Sequence, residues 1–139
     1  MLRFPFMRLP GGISRPIIPV IIEGPAGKRI IDGLLDTGAD RTIFPEHEAQ
    51  SIGVALGKRP DGSFKTAGGV SIPYRLADVT LELRSSGAVV RWTSEVAFAE
   101  SPLNMIHLGY RGFLEYFHAT FEGPQHAVVL NPQPGLPVV

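Results

Sequence analysis

Short apolar runs separated by turn residues recur about every ten positions, the spacing of an all-β chain. Ile17 to Glu23 and Lys28 to Leu35 are apolar and rich in β-branched residues. They flank Gly24-Pro25-Ala26-Gly27, which predicts a hairpin whose second strand delivers Asp36 to its end. Thr42-Ile43-Phe44 resumes the apolar pattern after a tight loop. Arg75 to Arg84 alternates as a half-exposed strand, and Ala88 to Phe98 follows Ser85-Ser86-Gly87 as its partner. Ala119 to Glu122 and Ala127 to Leu130 predict a last hairpin across Gly123-Pro124. Helix is favoured in only two places, a short one near Pro45 to Ile52 and a better one near Arg111 to Phe117. From Asn131 onward the prolines predict an extended, loosely held tail. No internal repeat or domain boundary interrupts the pattern. The expectation is one domain over residues 1–139, with a core at about 12–131, an N-terminal arm at 1–11 and a Pro-rich tail at 131–139.

Composition narrows the classes. At 139 residues, 44% of them hydrophobic and 19% charged, the chain suits one soluble domain with its own core. Thirteen basic and thirteen acidic residues cancel, which argues against a nucleic-acid or anionic-membrane partner. Without cysteine there is neither a disulfide framework nor a thiol nucleophile. The first ten residues are broken by Arg and Pro and do not read as a signal peptide. Their Pro and aromatic content suits either a removable segment or a packed arm. No run approaches the roughly 20 apolar residues of a membrane helix. A cytoplasmic protein is expected.

The candidate chemistry centres on Asp36-Thr37-Gly38, a tripeptide that occurs once. An Asp between hydrophobic strands is costly unless it is hydrogen-bonded. Gly38 permits a tight turn, and the small residues Thr37, Gly38 and Ala39 let a second backbone or a substrate approach the carboxylate. The tripeptide alone also fits an Asx-type turn in which Asp36 bonds its own backbone. If Asp36 does chemistry, one carboxylate cannot easily run acid–base hydrolysis alone, so a second chain is the obvious supplier of its partner. Other apparent motifs dissolve. Gly24 to Arg29 has two residues between its glycines where a phosphate loop needs four. His47-Glu48-Ala49-Gln50-Ser51 carries Ser where a zinc-protease helix needs its second His. His118 and His126 have no third ligand nearby, and no Ser sits in a nucleophile elbow.

Leu35 to Asp40, with Thr42 after it, resembles the active-site loop of the retropepsins, the single-domain aspartic proteases best known from retroviruses. Ser63 to Tyr74 resembles their flap, a β-hairpin with a Gly-rich tip, and Leu108 to Leu114 resembles the hydrophobic-Gly stretch that opens their helix. The three segments come in the family's order and span about Ile17 to Phe117. This resemblance implies a closed β-barrel of the acid protease fold with one short C-terminal helix, active as a homodimer on a peptide or protein substrate, with no metal or cofactor. It places Asp36, Thr37 and Gly38 at the catalytic centre, with Thr37 bonding across the dimer. Ala39, Asp40, Gly68, Gly69, Val70 and His107 would lie against the substrate, Gly68 and Gly69 as the closing flap tip. Pocket preference would come from Leu34, Val70 and the stretch Pro102 to Ile106.

Two departures stand out. In the viral pattern an Arg follows the Gly directly and pairs with the carboxylate corresponding to Asp40. Here Tyr110 follows Gly109 and Arg111 comes one place late, a rotation of ~100° if the segment is helical. His107 stands where an aliphatic residue is expected near the substrate wall. It reads either as a pH-sensitive group or as a strand-end His that packs or faces solvent. A dimeric peptide-binding or scaffold module of the same fold, with little or no proteolysis, is the alternative function. A small β-barrel interaction domain unrelated to proteases is a third.

Overall fold

The computed structural model describes residues 1–100 and 106–139. Pro102 to Met105, named above for pocket preference, lie outside the described residues. In chain order come β1 (Leu2–Pro5), β2 (Met7–Arg8), β3 (Ser14–Arg15), β4 (Ile17–Gly24), β5 (Gly27–Leu35), β6 (Ile43–Pro45) and helix α1 (Glu46–Ser51). They are followed by β7 (Gly62–Lys65), β8 (Ser71–Ser85), β9 (Ala88–Ala99), β10 (Ile106–Leu108), β11 (Phe117–Glu122) and β12 (Ala127–Pro132).

Period-2 patterning builds the main sheet. In β4, Ile18, Val20 and Ile22 turn inward and are fully buried while Pro19 faces out. The strand order β4-β5-β10-β6-β9-β8 closes on itself because β4 pairs back onto β8, with Ile21, Ile22 and Glu23 opposite Glu82, Leu81 and Thr80. The result is a closed six-stranded β-barrel, in which each barrel strand has a neighbour on both sides. Short β10 sits inside this ring, parallel to β5 and antiparallel to β6, so that His107 lies opposite both Leu34 and Ile43. Outside the ring, β7 pairs with the first four residues of β8 as a hairpin.

A second sheet, β1-β12-β11, is antiparallel throughout. It contributes Leu2, Phe4, Val128 and Leu130 to the common core. Beneath it Trp92 meets Phe113 and Phe117 edge-on, with ring centroids 5.4 and 5.3 Å apart. On the opposite flank the exposed Arg29 of β5 donates to the buried carboxylate of Glu48 in α1 at 2.8 Å.

Two expectations change in detail. The helix expected over Arg111 to Phe117 is present as a single 3-10 turn, Leu114–Tyr116. Gly112 has φ +94° and Phe113 has φ −136°, both outside the helical region, and this backbone lets Phe113 and Phe117 reach the same aromatic cluster. The tail is not loosely held. Leu136 is buried, the Gln133 N–H donates to Tyr116 O at 2.8 Å, and the Thr93 N–H donates to Pro137 O at 3.2 Å. An apolar side chain and the N–H groups between prolines find partners here, which a count of prolines does not foresee. Of the N-terminal arm, read as either removable or packed, Leu2 and Phe4 belong to the buried cluster and β1 is paired along its whole length with β12.

His118 and His126 do not face each other. His118 is exposed opposite Asn131, whereas His126 follows the turn at φ +50° with its ring 6.3 Å from that of Phe6. Among the described residues no helix is long and apolar enough to cross a membrane.

Candidate active site

Asp36 stands where β5 ends, directly after buried Leu35. Its loop is held by backbone hydrogen bonds rather than by side chains. The Asp36 N–H donates to Leu108 O at 3.1 Å, the Ala39 N–H to Asp36 O at 3.1 Å and the Tyr110 N–H to Ala39 O at 2.9 Å. The Arg111 N–H adds a bond to Asp40 O at 3.0 Å, and the Thr42 N–H one to Arg111 O at 3.0 Å. Thr42 itself is fully buried, and its carbonyl accepts the Ala97 N–H. The loop is thus strapped along its length to β10 and the residues after it. Gly109 makes the strap possible, because a Cβ there would lie 2.3 Å from Arg41 O and 2.6 Å from Ala39 O.

Both oxygens of the Asp36 carboxylate are engaged. Oδ1 accepts the Gly38 N–H at 2.9 Å, the Asx-type bond expected of such a turn. Oδ2 lies 3.1 Å from Nδ1 of His107 on β10. The two side chains are about one-third and one-quarter exposed at 32% and 25%, so the contact is partly shielded from water.

Asp36 and His107 form part of the wall of a cleft of about 890 Å³, roofed by the β7–β8 hairpin. Gly38, Ala39 and Asp40 line it from the loop, and Phe64, Ile72 and Tyr74 line it from the hairpin. The structure therefore brings together Asp36, Gly38, Ala39, Asp40 and His107. Thr37 is exposed and is not among the cleft residues. Gly68, Gly69 and Val70 form the exposed hairpin tip and do not line the cleft, where Thr66 and Ala67 stand instead. The tip turns at Gly69, φ +80°, and is closed by Thr66, whose Oγ1 accepts the Val70 N–H at 3.3 Å. Leu34 is half-buried and is not among the cleft residues, whereas Ile43 is.

Among the described residues Asp40 forms no side-chain ion pair, and Arg111 reaches it only through the backbone. Arg41 is the basic residue of the loop that lines the cleft. Its guanidinium stands 5.6 Å from the Tyr74 ring centroid and 3.9 Å from a Glu95 carboxylate oxygen. Arg41 was not among the residues the sequence pointed to, and Phe64, Ile72 and Tyr74 stood only within the flap-like segment Ser63 to Tyr74, without a role of their own. The alternation of Phe64 with Thr66 and of Ile72 with Tyr74 was the available signal, since it puts each pair on one face of the hairpin.

A family model described as aspartyl protease matches residues 18–111, from β4 through the loop and hairpin to the strap residues. A retropepsin-like aspartic protease from Rickettsia conorii is similar in structure, with a TM-score of 0.58 at 19% identity over 92% of this chain and 98% of that chain. The likeness extends to fold. The EIAV protease complexed with an inhibitor gives a TM-score of 0.47 at 20% identity over 68% of this chain and 81% of that chain. No curated protein matches the chain in sequence.

Proposed function

Because the chain belongs to the aspartyl protease family and has a retropepsin-like fold, we propose that it is an aspartic endopeptidase whose active form is a homodimer, with water activated between its two Asp36 carboxylates. The observation that carries this reading is the position of Asp36, on a backbone-strapped loop in the wall of a cleft large enough for an extended peptide. The sequence holds one Asp-Thr-Gly, and in this reading the second carboxyl comes from a second copy. An isologous two-fold contact through this loop is the simplest supply. Thr37, exposed on the same loop, is the residue this reading assigns to bond across such an axis.

Two carboxyls about 3 Å apart cannot both ionise, so the pair shares one proton. The ionised member takes a proton from the bound water as its oxygen attacks the scissile carbonyl carbon. The protonated member gives its proton to the carbonyl oxygen, forming a tetrahedral diol. The newly protonated carboxyl then gives its proton to the amide nitrogen while the other carboxylate takes one from a diol hydroxyl, so the C–N bond breaks, acid and amine leave, and one proton remains on the pair. In this reading the Gly38 carbonyl, Ala39 and Asp40 hold the substrate backbone. Gly68, Gly69 and Val70 close over the cleft by bending at the hairpin tip, which positions them against a substrate that they do not reach in the present arrangement.

A second reading, a dimeric peptide-binding module that cleaves little or nothing, has one observation in its favour. Among the described residues, no Arg side chain braces Asp40. Cleavage of a peptide mixture at several pH values, wild type beside Asp36→Asn, separates the two. Loss of cleavage in the variant with its fold retained supports the peptidase. Undiminished cleavage by Asp36→Asn would sink that assignment, and peptide binding without cleavage by wild type favours the module.

A further inference from the structure

We propose that His107 is a positioning residue for Asp36, holding Oδ2 from β10 while the Gly38 N–H holds Oδ1 from the loop. The role deepens the reading of Asp36 as the water-activating carboxylate and depends on it.

The contact is built into the barrel. Ile106 and Leu108 are fully buried, so strand alternation sends the residue between them to the cleft side. His107 is also fixed at its backbone, being paired with Leu34 on one side and Ile43 on the other. An imidazole carried on a doubly paired strand has little freedom to leave the carboxylate. Other charged or titratable groups around the cleft are Asp40 and Arg41 on the same loop and Lys65 and Tyr74 on the hairpin. Among the described residues, Asp36 alone lies within ion-pair distance of the ring.

The chemistry has a definite direction. An ionised carboxylate has no hydrogen to give, so Nδ1 must carry the hydrogen and donate it to Oδ2. With Oδ1 held by the Gly38 N–H and Oδ2 by the His107 ring, the carboxylate is fixed in one orientation toward the cleft.

The test is kcat and KM for one cleaved peptide, measured on the wild type, His107→Leu and His107→Gln, with circular dichroism to check folding. In His107→Leu kcat is expected to fall on the order of tenfold with KM little changed. His107→Gln, whose amide N–H can donate to Oδ2, is expected to fall between the two. A kcat at the wild-type value in both variants, with only KM altered, overturns the proposal and leaves His107 as part of the cleft wall.

A readout independent of cleavage is the His107 imidazole proton in NMR spectra of the full chain. A downfield exchangeable Nδ1 proton is expected in wild type and is expected to vanish in Asp36→Ala. Its absence from wild type, or its persistence in Asp36→Ala, also overturns the contact. Failure of the Asp36 reading has a different signature, since Asp36→Asn would then still cleave whatever the His107 variants do.

Discussion

Gly109 lies so close to Ala39 that a methyl group on its Cα would stand 2.6 Å from the Ala39 carbonyl oxygen. That oxygen already accepts the Tyr110 N–H, so the obstacle is backbone and cannot rotate away. Gly109→Ala is therefore expected to push the Asp36 loop off β10. Overpacking of this kind costs about 1–3 kcal/mol, and a displacement of about 1 Å at a reacting group costs on the order of a hundredfold in rate. Thermal unfolding together with kcat/KM checks both, and a variant with wild-type activity would show that the strap does not hold the loop in place.

Specific activity is expected to fall as the protein is diluted, because each half of the proposed site is inactive alone. Sedimentation over the same concentrations should show dimer giving way to monomer at the point where activity drops. Activity independent of concentration, in a species shown to be monomeric, would refute the shared site.

Leu136 gives the C-terminal tail a core contact, being 8% exposed within the main cluster. Leu136→Ala is expected to lower unfolding free energy by about 2 kcal/mol, at the lower end for buried Leu because the site is close to the surface. Urea unfolding followed by the fluorescence of the single tryptophan is a suitable measure, since Trp92 is fully buried and pairs with Val138 of the tail. An unchanged midpoint would mean that the tail adds nothing to stability.

Burial raises the Tyr116 phenol above its ordinary range, Glu115 pushes it the same way, and Arg111 opposes them. The folded chain then keeps this proton at a pH where the unfolded chain has released it. The associated stability is present in full below about pH 10 and is lost as pH rises through the higher folded value. From about pH 9 to about pH 12 the wild type is expected to lose more stability than Tyr116→Phe. Equal losses in parallel denaturant titrations would remove Tyr116 from the account.

Local pattern carries a large part of the fold. The hairpin of β4 and β5 and that of β8 and β9 follow from alternation and from the Gly-rich turns between strands. The loop after β5 follows from Asp36 and Gly38 standing between two apolar runs. What local pattern leaves out are the relations created by ring closure. His107 reads as an odd residue in a short strand until β10 is inserted between β5 and β6, and then its ring stands against Asp36. Arg41 and Tyr74 meet only because the hairpin folds back over the loop. The turn at Leu114 was legible as helix by composition, but the demand to place both Phe113 and Phe117 beside Trp92 outweighs helical propensity there.

The strap between the Asp36 loop and β10 also bears on the order of assembly. Asp36 is met by a residue 71 positions later, and each backbone bond from the loop to the Leu108–Arg111 segment crosses a comparable span. Closing so long a loop is entropically slow, and its contacts give no return until the distant segment arrives. A partly synthesised chain that lacks Leu108 to Arg111 has the local turn bonds of Gly38 and Ala39 but none of the bonds that tie the loop to β10 and the residues after it, so the loop takes its final shape only after the C-terminal third is made.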